Sequence, residues 1–221
     1  MNKLDLKPSE LFSSVPEEIR PYFEETHYVW EILPKIKEMI QKILADGPGN
    51  RTKMKEDVLI GKNVRIADTA TILGPAIIGN DVEIRPGAYL RGNVYIGDGC
   101  VVGNSTELKN CILLPRAQVP HYNYVGDSIL GCHAHMGAGS ICSNLRSDGK
   151  NVVVHADEDF PTGLRKFGAI LGDEADIGCG SVLNPGTIIG KNTQVYPLTM
   201  ARGVYPRDSI VKATRTVVKK R

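Results

Sequence analysis

The sequence predicts an all-β chain that coils into a parallel β-helix, because one spacing governs its middle. Every sixth residue over 60–114 is aliphatic: Ile60, Ile66, Ile72, Ile78, Ile84, Leu90, Ile96, Val102, Leu108 and Leu114. A mostly small or β-branched residue stands two positions before each of them, and Gly, Asn and Asp are frequent in between. A helix repeats apolar residues every three or four positions, and a lone strand alternates over one short run, so a period of six fits neither. The period fits short strands joined by tight corners, which must stack because no single repeat can bury its apolar face.

The same spacing returns later in the chain, at Leu130, Met136 and Cys142 and again over 171–201. The sequence therefore predicts a β-helix of six to seven coils over residues 57–206. Two excursions leave this register, one near 115–123 and one over 144–168. Insertions in a solenoid leave on one face and commonly build the binding site, so we expect functional residues beside both.

The two ends of the chain lack the period. Residues 1–56 are predicted to form a helical cap and linker, since apolar residues between His27 and Leu44 recur at three and four positions and Gly47 and Gly49 follow. We expect these helices to cover the open end of the first coil or to pack on a neighbouring subunit, because the ends of solenoids need cover. Residues 207–221 form a basic tail, either a solvated terminus or a contact to phosphate.

Composition excludes several classes. A net charge of +2 with 6% aromatic residues gives no field or stacking surface for nucleic acid. No apolar run approaches the ~20 residues of a membrane span, and no apolar signal core follows Met1, so a cytoplasmic protein is expected. The five cysteines are odd in number, form no CxxC pair and lie at or beside repeat positions, which predicts reduced thiols.

Four short motifs carry more specific information. In chain order they are Glu107-Leu-Lys109, His121-x-x-Tyr124, Gly137-Ala-Gly139 and Arg165-Lys-Phe167. Together they resemble the acetyltransferase domain of the bacterial bifunctional glucosamine-1-phosphate acetyltransferase/N-acetylglucosamine-1-phosphate uridyltransferase. They also resemble the β-helix of archaeal sugar-phosphate nucleotidylyltransferases that carry the same activity. The resemblance extends over about residues 58–215, and it implies a left-handed β-helix and a homotrimer with active sites between subunits.

The resemblance also implies roles for individual residues. His121 matches the general base, because a neutral imidazole can take the proton of an amine that attacks a thioester. Glu107 matches the acid that steers this histidine, since a carboxylate on the second ring nitrogen fixes the tautomer. The contacts to a sugar phosphate map to Arg85, Lys109, Tyr124, Asn144 and Lys166. The acyl donor is acetyl-CoA, and its contacts map to Ala138, Cys179 and Arg215. Acetyl transfer of this kind requires no metal.

The sequence departs from the family pattern at several places. His135 stands where the family has Asn, Cys179 where it has Ser, and the second excursion is longer. These changes leave the acceptor sugar, the acyl chain and the choice between N- and O-acetylation open. No glycine-rich nucleotide loop precedes the repeats, so any nucleotidylyltransferase is expected to be a separate partner.

Two other functions fit the same sequence. One is a non-catalytic module that binds a sugar phosphate or CoA and is related to sugar nucleotidylyltransferases. The other is a zinc-dependent trimer resembling carbonic anhydrases of this fold, for which His121, His133, His135 and His155 are available. Turnover distinguishes the first alternative from the enzyme, and metal content distinguishes the second.

Overall fold

The structure, a computed structural model, describes residues 6–213 and 217–219. The N-terminal part contains helices α1 (Pro8–Leu11), α2 (Arg20–Glu24) and α3 (Ile36–Ala45), with a 3-10 helix at Val29–Lys35 directly before α3. The strands in chain order are β1 (Thr52–Lys55), β2 (Val58–Ile60), β3 (Arg65–Ile66), β4 (Thr71–Leu73), β5 (Ala76–Ile78), β6 (Glu83–Ile84), β7 (Tyr89–Arg91), β8 (Val94–Ile96), β9 (Val101–Asn104), β10 (Glu107–Leu113), β11 (Gln118–His121), β12 (Tyr124–Leu130), β13 (His135–Met136), β14 (Ile141–Cys142), β15 (Val153–His155), β16 (Asp159–Pro161), β17 (Ala169–Leu171), β18 (Asp176–Ile177), β19 (Val182–Leu183), β20 (Thr187–Ile189), β21 (Gln194–Val195), β22 (Met200–Ala201), β23 (Val204–Tyr205), β24 (Ser209–Val211) and β25 (Val217–Lys219).

The strands form a parallel β-helix with three faces, which confirms the predicted all-β class. The covered face consists of β2, β5, β8, the second halves of β10 and β12, then β17, β20 and β23. The open face consists of β4, β7, the first halves of β10 and β12, then β14, β19 and β22. The back face consists of β3, β6, β9, β11, β13, β18, β21 and β24. In the described part of the chain, eight parallel strands stack on the covered and back faces and seven on the open face, more than the six to seven coils expected.

The predicted aliphatic residues line the interior until the register changes at the end of β10. The inward partners Ile78 and Ile96 are 18 residues apart, whereas Ile96 and Leu113 are 17 apart. Leu113 therefore takes the core position, and Leu114 packs in a second apolar cluster outside the coil. The segment near 115–123 is thus not an excursion, because it holds strand β11 in a coil that is one residue shorter.

The N-terminal helices lie along the side of the β-helix. The outward side chains of the covered face are all buried: Leu59, Ile77, Tyr95, Ile112, Ile129, Ile170 and Ile188. They form one apolar cluster with Trp30, Leu33, Met39 and Ile40 of the helical segment. The expected position over the first coil is not found, because this apolar column offers far more surface than one coil end.

Reversed strands lie at both ends of the stack instead. Strand β1 pairs antiparallel with β2, and β25 pairs antiparallel with β24. A reversed strand satisfies the hydrogen-bonding edge that a terminal coil would otherwise leave unpaired.

Several polar contacts hold the N-terminal segment on the β-helix, and one of them joins Glu18 to Tyr95 of the covered face. The carboxylate of Glu18 accepts hydrogen bonds from Tyr95 Oη at 2.7 Å and from Arg51 Nη1 at 2.9 Å. Among the described residues, no helix is long and apolar enough to cross a bilayer.

Candidate functional site

His121 ends strand β11 at the corner between the back and open faces, and its side chain is exposed. Its backbone N–H donates to Asn123 Oδ1 at 3.1 Å, and its carbonyl accepts from the Gly139 N–H at 3.0 Å. The buried amide of Asn123 donates in turn to the Gly137 carbonyl at 2.8 Å and to Ser140 Oγ at 3.1 Å. The His-x-x-Tyr and Gly-Ala-Gly motifs are therefore tied together at this corner, which holds the histidine backbone in a fixed place.

The residues that match the acetyl-CoA contacts continue the same corner upward. The Ala138 carbonyl accepts from the Gly180 N–H at 2.8 Å, and the Cys179 carbonyl accepts from the Leu198 N–H at 2.9 Å. Ala138 and Cys179 are both exposed. Stacked strands repeat about every 4.8 Å, so His121, Ala138 and Cys179 form one exposed column on successive coils. The third predicted contact, Arg215, lies outside the described residues.

Glu107 begins strand β10 on the open face, beside Tyr124 in the parallel register. Its Oε1 accepts a hydrogen bond from Arg91 Nη1 at 2.6 Å, and this bond raises the pKa of Arg91. Within the described residues, the side-chain hydrogen bond of Glu107 goes to Arg91, and none joins it to His121. The steering of His121 by Glu107 stays a prediction.

Three of the predicted acceptor residues meet around a carboxylate that sequence reasoning missed. Asp127 is 6% exposed and accepts from Lys109 Nζ at 3.2 Å, Asn110 Nδ2 at 3.0 Å and Asn144 Nδ2 at 2.5 Å. The Asn144 amide also lies 3.2 Å from Tyr124 Oη. Burial and the neighbouring carboxylates raise the pKa of Tyr124, so its hydroxyl remains a donor. The group combines a cation, two amides and a phenol at the edge of the open face.

Asp127 escaped notice because it occupies an ordinary corner position. Its φ of 48° is in the left-handed region, like those of Asn110 at 49° and Asn93 at 53° in the same column. Short polar residues tolerate this conformation, so Asn or Asp is expected at every such corner. The signal that could have identified it is the change from amide to carboxylate between Asn110 and Asp127 in this column, one position after Lys109 of the Glu-Leu-Lys motif.

The other two predicted acceptor residues lie apart from this cluster. Arg85 follows β6 on the back face and pairs with Glu83 at 2.9 Å, and this contact together with Arg65 lowers the pKa of Glu83. Lys166 is exposed in the second excursion, where it forms an isolated bridge with Leu145. Neither donates to Asp127 among the hydrogen bonds of the described residues.

Two of the histidines considered for zinc are each paired with a carboxylate. His135 Nδ1 lies 2.8 Å from Asp176 Oδ1, and His155 Nδ1 lies 2.6 Å from Asp159 Oδ1. No group of three or more His, Cys, Asp or Glu side chains suited to a metal occurs within the described residues.

Comparison with known proteins finds several that are similar to this chain. A family model described as the GMPPB C-terminal domain matches residues 72–158. The bifunctional protein GlmU of Methanococcus aeolicus is 31% identical over 215 residues, covering 89% of this chain and 49% of that protein. The chain is a hexapeptide-repeat β-helix protein and a relative of GlmU. The resemblance predicted from the four motifs is therefore confirmed.

Two further matches are a curated protein and a solved structure. The bifunctional sugar-1-phosphate nucleotidylyltransferase/acetyltransferase of Sulfurisphaera tokodaii is 31% identical over 162 residues, covering 64% of this chain and 40% of that protein. A mutant of AntD, an N-acyltransferase from Bacillus cereus in complex with dTDP and coenzyme A, aligns with a TM-score of 0.42 and 21% identity over 78% of this chain and 91% of that chain. The chain spans about half the length of the curated GlmU relatives it matches.

Proposed function

We propose that this β-helix is an acetyl-CoA-dependent N-acetyltransferase that acts on an amino-sugar phosphate, with glucosamine 1-phosphate as the simplest acceptor. One observation carries the proposal. His121 is exposed on the same corner column as Ala138 and Cys179, the two described positions that match acyl-CoA contacts in the family. A base that stands directly below the acyl-donor wall can reach an amine next to the thioester.

The chain's own residues are assigned two tasks, proton transfer and stabilisation of the oxyanion. His121 takes the proton of the acceptor amine as the nitrogen forms its bond to the thioester carbonyl carbon. The same imidazolium then returns a proton to the sulfur when the carbon–sulfur bond breaks, so the products are the amide and free CoA. Backbone N–H groups of the corner suit the developing oxyanion. No acyl-enzyme and no metal is part of this scheme.

The Asp127 cluster supports the acceptor assignment. Lys109 supplies the positive charge for a phosphate, while Tyr124 and Asn144 supply donors to the phosphate or the sugar hydroxyls. We assign Arg85 and Lys166 to the outer edges of the same site and Glu107 to the orientation of His121. Arg215 is assigned to the phosphates of CoA.

We further propose that the active protein is a homotrimer whose sites lie between subunits. The corner column and the residues beside it expose several large apolar side chains to solvent, namely Tyr122, Tyr196 and Leu198. Leu198 is 80% exposed and Tyr122 is 65% exposed, which is costly for a surface that nothing covers. A second copy of the chain would cover them and form the other wall of the acyl-CoA groove.

The cellular setting follows from the same assignments. All five cysteines are free thiols, which suits a cytoplasmic protein. An N-acetylated sugar phosphate is a substrate for nucleotidyl transfer, so we place the reaction in UDP-N-acetylglucosamine or related nucleotide-sugar synthesis. A separate nucleotidylyltransferase would then act on the product.

The test measures the release of free CoA thiol from acetyl-CoA with a panel of hexosamine 1-phosphates. We expect one acceptor to turn over and His121→Ala to reduce kcat by roughly 10² to 10⁴-fold. His135→Ala is the matched control, because this ring lies on the back face against Asp176. It should leave the rate unchanged.

The two alternatives predict different results. If neither the parent nor His121→Ala releases CoA thiol with any acceptor, the non-catalytic binding module is favoured. Stoichiometric zinc in the purified protein, lost in His121→Ala and His135→Ala alike, would favour the metal site.

A further inference from the structure

The excursion over 144–168 builds one wall of a pocket on the open face. The pocket has a volume of about 440 Å³ and is lined by Ser143, Leu145, Arg146, Ser147, Asp148, Val153, His155, Asn184, Pro185, Met200 and Arg202. Strands β15 and β16 form an antiparallel hairpin whose two sides differ. Val152 and Val154 are fully buried in the apolar cluster of the N-terminal helices, whereas Val153 and His155 line the pocket. The side of the hairpin that faces away from the pocket is therefore packed against this apolar cluster.

Two glycines bring this hairpin close to the β-helix. Gly186 and Gly203 have φ values of +81° and +92°, in the region that favours glycine. A Cβ added to Gly186 would lie 3.1 Å from the Val153 carbonyl oxygen, and one added to Gly203 would lie 2.7 Å from the His155 carbonyl oxygen. The close approach places His155 directly beside the last coil of the open face.

His155 orients an arginine whose charge has no acidic partner. Arg202 Nη2 lies 2.7 Å from His155 Nε2, and His155 Nδ1 lies 2.6 Å from Asp159 Oδ1. Because a guanidinium can only donate, Nε2 must accept, and Nδ1–H therefore donates to Asp159. Within the described residues no carboxylate pairs with Arg202, while Arg146 across the pocket is held by Asp148 through two hydrogen bonds. Arg202 thus presents unused donors to the pocket.

The remaining wall carries exposed apolar side chains that an aromatic ring could contact. Leu145 is 43% exposed and Met200 is 49% exposed at the pocket, with Pro185 beside them. Ser143 and Asn184 add polar groups between the apolar wall and Arg202. A guanidinium next to exposed apolar side chains and an amide suits a phosphate that carries a nucleoside, whereas a lone phosphate would not use the apolar wall.

The pocket adjoins the Asp127 cluster. The Ser143 N–H donates to the Leu183 carbonyl and the Asn184 N–H donates to the Ala201 carbonyl, so Ser143, Asn184 and Arg202 stack at one edge of the open face. The Asn144 amide, one residue after Ser143, is bound to Asp127. A ligand held at Lys109 and Asn144 can therefore extend along this edge toward Arg202.

We propose that this pocket binds the nucleoside diphosphate end of a nucleotide-activated amino sugar whose amine lies at His121. The proposal rests on the acetyltransferase function proposed above and changes its acceptor from a free hexosamine 1-phosphate to a nucleotide-linked hexosamine, so that nucleotidyl transfer would precede acetylation. His155 is a positioning residue, because it fixes the guanidinium of Arg202.

Binding of nucleoside diphosphates tests the pocket without turnover. Calorimetric titrations would use UDP, GDP, ADP and dTDP, with pyrophosphate as the probe that lacks a nucleoside. We expect at least one nucleoside diphosphate to bind 10-fold or more tightly than pyrophosphate, and Arg202→Gln to weaken it by 10-fold or more. Met200→Ser should weaken the nucleoside diphosphate but not pyrophosphate. Arg207→Gln is the matched control, since this exposed arginine lies on the same last coil and is bonded to Asp208.

Three results would overturn the proposal: no nucleoside diphosphate binds, pyrophosphate binds as tightly, or Arg202→Gln binds as well as the parent. Thermal unfolding of each variant shows whether it is folded. Acetylation assays with matched hexosamine 1-phosphate and nucleotide-linked hexosamine separate this inference from the proposed function. Turnover of the monophosphate that Arg202→Gln leaves intact, without nucleoside diphosphate binding, would keep the acetyltransferase and reject the pocket. Arg202-dependent nucleotide binding with no turnover of either acceptor would keep the pocket and reject the acetyltransferase.

Discussion

The covered face and the open face share one backbone and one interior, yet their outer surfaces differ. Outward from the covered face stand Leu59, Ile77, Tyr95, Ile112, Ile129, Ile170 and Ile188, each at most 3% exposed. In the corresponding row of the open face stand Thr71, Tyr89, Glu107, Tyr124, Ile141, Val182 and Met200. The first row packs against helices, and the second row is mixed and reaches solvent.

The difference shows that the hexapeptide period specifies only the inside of this fold. The inward side chains are mostly aliphatic on all three faces, so they determine the coil and do not indicate a function. The outward residue of each strand decides whether its face is filled by the chain itself or left for ligands and other subunits. Function in this protein is therefore encoded at positions that the repeat does not constrain.

The largest expected contrast is between two isoleucines, one on each face. Ile129→Ala removes a fully buried side chain of the covered face and should lower the free energy of unfolding by about 2–5 kcal/mol. Ile141→Ala on the open face, where the side chain is 36% exposed, should change it by less than about 0.5 kcal/mol. Urea unfolding of both variants provides the measurement.

Equal losses would break the contrast between the faces. In that case the open face is covered in solution. An Ile141→Ala effect that grows with protein concentration would then identify the cover as another copy of the chain.

The interior of the fold could be predicted from sequence because a six-residue period sustained over ten repeats fits neither a helix nor a single strand. The register change at Leu113 was hidden, since a coil of 17 residues still presents an aliphatic one position later, at Leu114. The helices were predicted from their own periodicity. Their position was not, because the apolar column of Leu59, Ile77 and Tyr95 only becomes one surface when coils stack.

The site was predictable to the extent that motifs fix backbone positions. His121, Ala138 and Cys179 were expected to act together, and the structure stacks them on one corner. Side-chain partners were not predictable, because Glu107 finds Arg91 within its own chain. Asp127 was missed because its burial and its neighbours, which a repeat does not show, separate it from other corner residues such as the exposed Asp81.

A second prediction concerns the corner where the two faces meet. Asp127→Asn removes the carboxylate that holds Lys109 and Asn144 in place. The new side chain also sets an NH2 group against one of the neighbouring amides. We expect the acceptor KM to rise about 10-fold and the free energy of unfolding to fall by about 1–3 kcal/mol. The KM for acetyl-CoA should stay constant, which steady-state kinetics with each substrate varied would show.

Asp81→Asn is the control for corner geometry. Asp81 has a φ of 56° and is bonded to Asn63, but it is exposed and far from the cluster along the stack. Should both variants lose stability equally while neither alters the acceptor KM, Asp127 would be a corner residue and no more.

A third prediction sharpens the account of how the covered face is sealed. Burial raises the pKa of Tyr95 strongly, so its hydroxyl is a permanent donor to Glu18. Tyr95→Phe leaves the ring in place and removes this bond, which should lower the free energy of unfolding by about 1 kcal/mol. Hydrogen exchange of amides in α2 and α3 should accelerate in parallel. Tyr89→Phe on the open face should change neither quantity, and an equal effect there would show that Glu18 does not fix the helices.

The smallest expected effect separates thiols inside the coil from the thiol on the open corner. Burial raises the pKa of Cys100 and Cys142 to about 12, above the value near 9.0 expected for the unfolded chain. Their neutral thiols therefore contribute stability that is fully present below about pH 9 and is lost as the pH rises toward 12. Unfolding measured from pH 7 to 11 should be flat at first and then decline. A maleimide should label exposed Cys179 within minutes, and this labelling should be slower when acetyl-CoA is present. Cys100 and Cys142 should be labelled only on unfolding. Cys179→Ser should remove the fast phase, and a fast phase that persists when the half-buried Cys132 is also replaced by Ser would mean that the coil opens without unfolding.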